Sequence, residues 1–178
     1  VYSADGSVWR QPREDWSGAR QRVATDPVWA KWLADRRAEV DAWMNKCHDR
    51  VSWIAGWGHE FVSPLDGSFL TWTPAVPGEE VAFLSSPSDP HVSITPKIFR
   101  AWVLNFRARH VIKIHDAARL WRLNGAIRSD AWAASQLDFY ATHLKEWPVR
   151  NIHYGPSRLT EPPLDEAIIL IQLTDPAR

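Results

Sequence analysis

The most constraining feature of the sequence is the stretch 95–148, whose pattern predicts two long helices joined by a glycine. Thr95 is suited to cap the first helix, and Pro96 fits its first position, where a missing N–H costs nothing. Gly125 can take the left-handed conformation that often ends a helix. Ser129 is the expected cap of the second helix, and Pro148 closes it.

Apolar residues recur at spacings of three and four in the first helix, at Phe99, Trp102, Val103, Phe106, Ile114, Ala117, Ala118 and Trp121. Those of the second are Ala133, Leu137, Tyr140, Ala141 and Leu144. The sequence therefore predicts an antiparallel helical hairpin, packed through Phe99, Phe106, Ile114, Leu137 and Tyr140.

Two further helices are predicted, one on each side of this hairpin. Asp26 and Pro27 repeat the cap-then-proline pattern and open a helix over 27–48. Its apolar positions are Trp29, Trp32, Leu33, Val40, Trp43, Met44 and Cys47. Adjacent prolines open a last helix over 162–174, although the β-branched run 168–171 also suits a strand. The fold class that follows is mainly all-α.

The N-terminal segment 1–25 has a different composition from the rest of the chain. It is polar and contains Gly6, Pro12 and Gly18, with little periodicity. We expect an extended arm with one helical turn near residues 16–23. The predicted organisation is thus an arm, 1–25, followed by one helical domain, 26–178.

Residues 51–95 interrupt the helical pattern with a long irregular insert. Short apolar runs are cut by glycine and proline, and Asp66-Gly67 suits the turn of a β-hairpin. The remainder is rich in proline, serine and glycine and predicts loop. Long ordered loops more often carry function than short ones. Within the insert, Trp57-Gly58-His59 holds the greatest density of chemically useful side chains.

Composition sets limits on the possible partners. A length of 178 residues suits one domain with a real core. Lysine plus arginine equals aspartate plus glutamate at 21 each, so no net field favours nucleic acid. No apolar run approaches the ~20 residues of a membrane span.

The single cysteine, Cys47, excludes an internal disulfide and a cysteine-rich zinc site. We predict no metal and no cofactor. Because the chain begins with Val1 and shows no apolar signal segment, we expect a processed or trimmed N-terminus.

Twelve tryptophans are the compositional oddity of this chain. Indole rings can stack on the faces of pyranose sugars, and the indole N–H can donate to hydroxyl groups. The alternative is core packing, which suits the tryptophans on apolar helical stripes. Trp53, Trp57 and Trp72 lie outside the helical pattern, so they are the better candidates for ligand contact.

Three motifs in the second half of the chain carry a resemblance to a known family. They are HDAARLWRLNG at 115–125, QLDFYATHLKEWP at 136–148 after Trp132, and SRL at 157–159 followed by LDEA at 164–167. In this order and spacing they resemble the N-terminal helical region of the heparinase II/III-like polysaccharide lyases. The resemblance covers roughly residues 26–173.

The resemblance implies a fold, a reaction and a set of site residues. The fold would be a partial α/α toroid built from helical hairpins, with the insert folding over it near the cleft. The reaction would be β-elimination on uronic-acid polysaccharides, which requires neutralisation of the substrate carboxylate and a proton-transfer pair. Arg158 fits the carboxylate contact, and the candidates for proton transfer are Tyr154, His59 and His153. Trp57, His59, Tyr154 and Arg158 would line one end of the substrate cleft, so we expect their segments to meet. By the same resemblance, the location would be periplasmic or secreted.

Two departures from the family pattern limit what this chain would do alone. The substrate-facing glutamine of the family falls at Pro162, and the family's catalytic asparagine–histidine pair and main tyrosine lie beyond Arg178. We therefore expect an incomplete toroid, whose partners are the missing helices, a β-domain and an acidic polysaccharide. Two alternatives stay open: a non-catalytic helical module that binds carbohydrate or protein, and an α/α-barrel uronide hydrolase. The hydrolase would need Glu161 and Asp165 as acid and base.

Structural roles compete with several of these functional interpretations. Arg158 can instead pair with Asp165 or Glu166 at the start of the last helix. His110 lies on an apolar stripe, which favours a buried, hydrogen-bonded histidine of the core. His48, His91 and His143 do not have the spacing of metal ligands.

Overall fold

The computed structural model describes residues 15–149, 155–160 and 163–174, and this part of the chain is mainly α-helical, as predicted. Its helices are α1 (Trp16–Thr25), α2 (Pro27–Lys46), α3 (Pro96–Asn124), α4 (Ile127–His143) and α5 (Pro163–Thr174). A 3₁₀ turn, Gly58–Glu60, lies in the insert. The last segment is a helix and not the alternative strand. None of the helices described here is both long and apolar enough to span a membrane.

Helix α3 is the centre of the fold, and the other elements pack around it. It is about 44 Å long at 1.5 Å per residue, and it contacts α1, α2, α4, α5 and the 3₁₀ turn. Thr95 Oγ1 accepts from the backbone N–H of Ile98, and Gly125 ends the helix at φ 71°. The α3–α4 hairpin is confirmed, with Phe106, Ile114 and Tyr140 all buried.

The prediction that Ser129 caps α4 is wrong. The helix begins at Ile127, and Ser129 is buried within its first turn, with its N–H donating to the carbonyl of Ala126. Asn124 Oδ1 instead accepts from the N–H of Ala126 at 3.0 Å. The left-handed Gly125 therefore leads almost directly into the next helix, and no separate capping residue is needed.

The helical turn that was predicted near residues 16–23 is present but is part of a longer helix, and the rest of the predicted arm, 1–14, lies outside the described residues. Residues 16–25 form a ten-residue helix whose cap is Asp15, with Oδ1 accepting from the N–H of Gly18 at 2.8 Å. No residue of α1 is buried, although its apolar residues Trp16, Ala19 and Val23 recur at helical spacing. Contacts with α2 and α3 hold it in place, since most helix stability in proteins comes from packing.

The insert at 51–95 is irregular and covers the first half of α3. Val62 bridges Phe69 across the turn that contains Gly67 (φ 74°), but the described insert has isolated bridges and no strand. The hairpin is thus reduced to its turn and one bridge. Whether the helices belong to a toroid stays a prediction.

The core is divided into two clusters along α3. The first joins the insert to the N-terminal half of the helix, around Trp53, Trp102 and Phe106. The second joins α2, α4 and α5 to its C-terminal half, around Ile114 and Tyr140. The loop that carries Trp57 and His59 follows Ala55, which belongs to the first cluster.

Candidate functional site

Trp57 and His59, two of the predicted site residues, form a ring pair at the start of the insert. Their ring centroids lie 4.7 Å apart at 34°, with the Trp57 side chain half-buried and His59 exposed. Gly56 fixes this loop against α3, because a Cβ at this position would lie 2.8 Å from Cβ of Arg100. The Gly56 N–H also donates to the carbonyl of Arg100 at 3.1 Å. A close backbone contact therefore positions the ring pair.

The loop of Trp57 and the segment of Arg158 meet, as expected. Ala55 and Ser157 exchange two backbone hydrogen bonds, at 3.2 and 2.9 Å. The loop 55–59 and the segment 155–159 are called the candidate wall from here on. Tyr154 and His153 lie outside the described residues, so their predicted roles stay predictions.

Arg158 already has an acidic neighbour within the protein. Its Nε lies 2.7 Å from Oε1 of Glu166 on α5, and its side chain is 26% exposed. Neither of these two atoms forms a hydrogen bond, although the distance between them is short. The contact is therefore an ion pair and not a directed hydrogen bond. Arg158 thus has the acidic partner that the structural alternative requires. Its contact with a substrate carboxylate stays a prediction.

Behind the candidate wall lies a buried ion pair between Arg107 of α3 and Asp49. The side chains are 0% and 1% exposed, and Nε of Arg107 donates to Oδ2 of Asp49 at 2.8 Å. The other guanidinium nitrogens donate to the backbone carbonyls of Trp53, at 2.9 Å, and of Arg158. A single buried guanidinium thus binds the backbone of two segments, one before the Trp57 loop and one within the wall itself.

The same ion pair is completed by two aromatic residues. Tyr140 on α4 donates its hydroxyl to Oδ2 of Asp49 at 2.8 Å, and burial raises the pKa of Tyr140 well above its usual range. Trp147 lies 3.8 Å from the Arg107 guanidinium, measured to the ring centroid, and its indole N–H donates to the carbonyl of Val51. This satisfied arrangement is what a buried charge requires in order to be tolerated.

Sequence analysis missed both Arg107 and Asp49. A usable signal existed, because Arg107 lies one helical turn from Val103 and from His110 on the stripe that α3 buries. A charged residue on an apolar stripe needs a buried partner. The identity of that partner was not readable, since Asp49 lies 58 positions away in the chain.

His110 has the structural role that was predicted for it. It is fully buried, and Nδ1 accepts from the indole N–H of Trp43 at 2.9 Å. Because indole can only donate, the proton of the neutral ring is on Nε2 and faces Oε1 of Gln136 at 2.9 Å. Burial lowers the pKa of His110, which is consistent with a neutral ring.

Of the other predicted ligand-contacting tryptophans, Trp53 is in the core and Trp72 is only partly accessible. Trp53 is 4% exposed and packs edge-on against Trp102 and Phe106, so it cannot stack on a sugar. Trp72 stacks between Trp43 and Trp102, with centroid distances of 6.3 and 6.4 Å. The prediction for Trp53 is wrong, because residues of the irregular insert supply half of the first core cluster.

Sequence analysis did not indicate a second surface, which lies where α1, α2 and the end of α3 meet. Its cavity of about 300 Å³ is lined by Trp16, Ala19, Arg22, Val23, Trp29, Trp32, Arg119 and Leu123. A larger opening of about 570 Å³ continues on the other side of Trp16, along Arg20 and residues 121–125. These two openings together are called the Trp–Arg cleft.

No metal centre accompanies either surface within the described residues, where no group of three or more His, Cys, Asp or Glu side chains is arranged to hold an ion. The carboxylates of Glu161 and Asp165, which a uronide hydrolase would need, lie outside the part of the chain whose side chains are described.

Comparison with known proteins adds no assignment: no family model, no curated protein and no solved structure matches this chain.

Proposed function

We propose that this chain is the N-terminal helical portion of a polysaccharide lyase that acts on uronic-acid-containing polysaccharides by β-elimination. Its contribution is part of the wall that holds the substrate, and it does not supply the full catalytic set. The observation that carries the proposal is the pairing of Ala55 with Ser157, which joins the Trp57–His59 ring pair to the segment of Arg158.

The chemistry of elimination explains why an aromatic ring and an arginine are useful together. The proton next to a carboxylate becomes acidic only when the carboxylate charge is neutralised, and a guanidinium does this with two parallel hydrogen bonds. The exposed His59 and half-buried Trp57 offer a flat surface for the sugar ring. In the protein alone, Glu166 occupies the place beside the Arg158 guanidinium that a substrate carboxylate would take.

This competition with Glu166 gives a sharp test. We expect Arg158→Ala to weaken the binding of hexamannuronate about ten- to a hundredfold, the effect of losing about 1.5–3 kcal/mol. Arg158→Lys should recover only part of this, because a point charge lacks the planar fork. Glu166→Gln should strengthen binding by freeing the guanidinium. Calorimetric titration with hexamannuronate, and with neutral mannohexaose for comparison, measures all three.

Arg37→Ala is the matched control, since Arg37 is an exposed arginine on α2 that also pairs with an acid, Asp41. It should leave the affinity for hexamannuronate unchanged. If Arg158→Ala and Glu166→Gln both lower thermal stability equally and neither changes binding, Arg158 is only a structural partner of α5. The proposed wall then has no functional arginine.

A second candidate is a non-catalytic carbohydrate-binding helical module, which the open Trp–Arg cleft favours because none of its described lining residues carries a carboxylate or an imidazole. Under both candidates the purified 178-residue chain should produce no unsaturated uronate product, followed by its ultraviolet absorbance. Robust turnover that Tyr154→Phe abolishes would instead place a catalytic centre within this chain, and would rule out the binding-module candidate.

A further inference from the structure

The Trp–Arg cleft leaves large aromatic side chains open to solvent. Trp29 and Trp32 are each 40% exposed, with ring centroids 5.8 Å apart, and Trp121 is 42% exposed. None of the three belongs to either core cluster. Exposed indoles grouped along one cleft form an apolar patch, and such patches often mark a binding site.

The arginines of the cleft differ from most of the other described arginines in having no acidic partner among the described residues. Arg20, Arg22, Arg119 and Arg122 line it, and none of them forms an ion pair with another described residue. Described arginines that do face an acid are Arg36, Arg37, Arg50, Arg107, Arg128 and Arg158. Four arginines that face no described acid concentrate positive potential in one place, although the chain as a whole has no net charge.

Rings and charges alternate along this cleft, and they are held in place. The guanidinium of Arg22 lies 5.6 Å from the ring centroid of Trp29, and that of Arg122 lies 5.4 Å from the centroid of Trp16. Arg20 Nε donates to the carbonyl of Arg122 at 2.8 Å, which ties α1 to the last turn of α3. The surface is therefore built from helices and does not depend on a loop.

We propose that the Trp–Arg cleft binds an anionic oligosaccharide that carries carboxylate groups on successive sugar rings. Indole faces stack on the apolar faces of pyranose rings, and each guanidinium can hold a carboxylate with two hydrogen bonds. A neutral sugar would use the rings alone. A nucleic acid would need a longer basic surface for its continuous phosphates, and the balanced charge of the chain does not provide one.

This site is separate from the candidate wall and does not rest on the proposed function. The wall contacts α3 from Arg100, where Gly56 approaches it, to Arg107, which donates to the carbonyl of Arg158. Arg119 lies twelve residues beyond Arg107 on the same helix, which corresponds to about 18 Å. Two sites on one protein would let it hold a long polysaccharide at two points, with the gain in avidity that linked sites give.

The test is calorimetric titration of the double variant Arg22→Gln/Arg119→Gln with hexamannuronate. We expect about a tenfold or greater loss of affinity at the cleft, and a measured stoichiometry that falls by one site whether or not the candidate wall also binds the ligand. Trp29→Ala should give a similar loss, whereas Arg37→Gln, on α2 but outside the cleft lining, should give none. Circular dichroism checks that each variant keeps its helices.

Each result supports or overturns the proposal. Unchanged affinity and stoichiometry in the double variant would overturn it, as would equal binding of mannohexaose. Tighter binding of fully sulfated mannohexaose or of oligothymidine would overturn the choice of a carboxylate-bearing sugar. The two proposals fail separately: Arg158→Ala reports on the wall alone, and the double variant reports on the cleft alone.

Discussion

Arginine meets tryptophan in two regions of this protein, with opposite surroundings. At the buried ion pair, Arg107 lies 3.8 Å from the Trp147 ring centroid, has no exposed surface and faces Asp49. In the Trp–Arg cleft, Arg22 and Arg122 lie more than 5 Å from their rings and face no described acid. The same pair of residue types therefore holds the fold together in one place and remains available to a ligand in the other. What differs is desolvation and the presence of a counter-charge.

The contrast between the two regions predicts that Arg107 is essential for stability and that the cleft arginines are not. We expect Arg107→Ala to lower the free energy of unfolding by about 3–5 kcal/mol, because it leaves the Asp49 carboxylate buried without its partner. Arg119→Ala in the cleft should change it by no more than about 0.5 kcal/mol. Urea unfolding followed by circular dichroism measures both.

Two companion variants keep this prediction testable if Arg107→Ala does not fold. Arg107→Lys retains the charge but loses the fork, so it should be less destabilised than the alanine variant. The double variant Asp49→Leu/Arg107→Met should also be more stable than either single change, because no buried charge is left alone. Equal losses for Arg107→Ala and Arg119→Ala would contradict the distinction between the two regions.

A smaller effect is expected at Tyr140, whose hydroxyl donates to the same carboxylate. Tyr140→Phe should cost about 1–3 kcal/mol, the value of a hydrogen bond to a buried charged group. Trp121→Phe, which changes one ring for another on the cleft side, should be nearly neutral because Trp121 is 42% exposed. A destabilisation by Trp121→Phe as large as that by Tyr140→Phe would show that the cleft also supports the fold.

The free energy of unfolding should depend on pH through the buried His110. Because burial lowers the pKa of His110, the unfolded chain takes up this proton near pH 6.5 while the folded protein still excludes it. Stability contributed by the neutral ring is therefore complete above about pH 6.5 and is lost as pH falls toward the lower folded value. Unfolding in urea across pH 5–8 should show this decline, and His110→Gln should reduce it.

The control for this pH dependence is His91→Gln, since His91 lies exposed on the insert. This variant should keep the decline of the parent protein. A His110→Gln variant with the full decline would mean that another group, and not the Trp43–His110–Gln136 chain of hydrogen bonds, sets the acid sensitivity.

Local chemistry is what made the helices predictable. Thr95-Pro96 and Asp26-Pro27 begin helices, and Gly125 ends one, because caps, fixed proline φ angles and left-handed glycine act within a few residues. His110 was interpreted correctly as a core histidine because its position on the apolar stripe is also a local property. The prediction failed at Ser129 and made α1 too short, because the neighbouring backbone and the packing decide both outcomes.

The sequence by itself determined the helical hairpin and the position of the insert, whereas the meeting of the Trp57 and Arg158 segments was expected only from the family resemblance. Only the tertiary structure decided which arginine is buried and which is open. Arg107 and Arg119 lie on the same helix, yet one faces Asp49 and the other faces a cavity lined by tryptophan. The physical reason is that the environment of a charge depends on side chains brought together from distant parts of the chain. No pattern within a single helix records those neighbours.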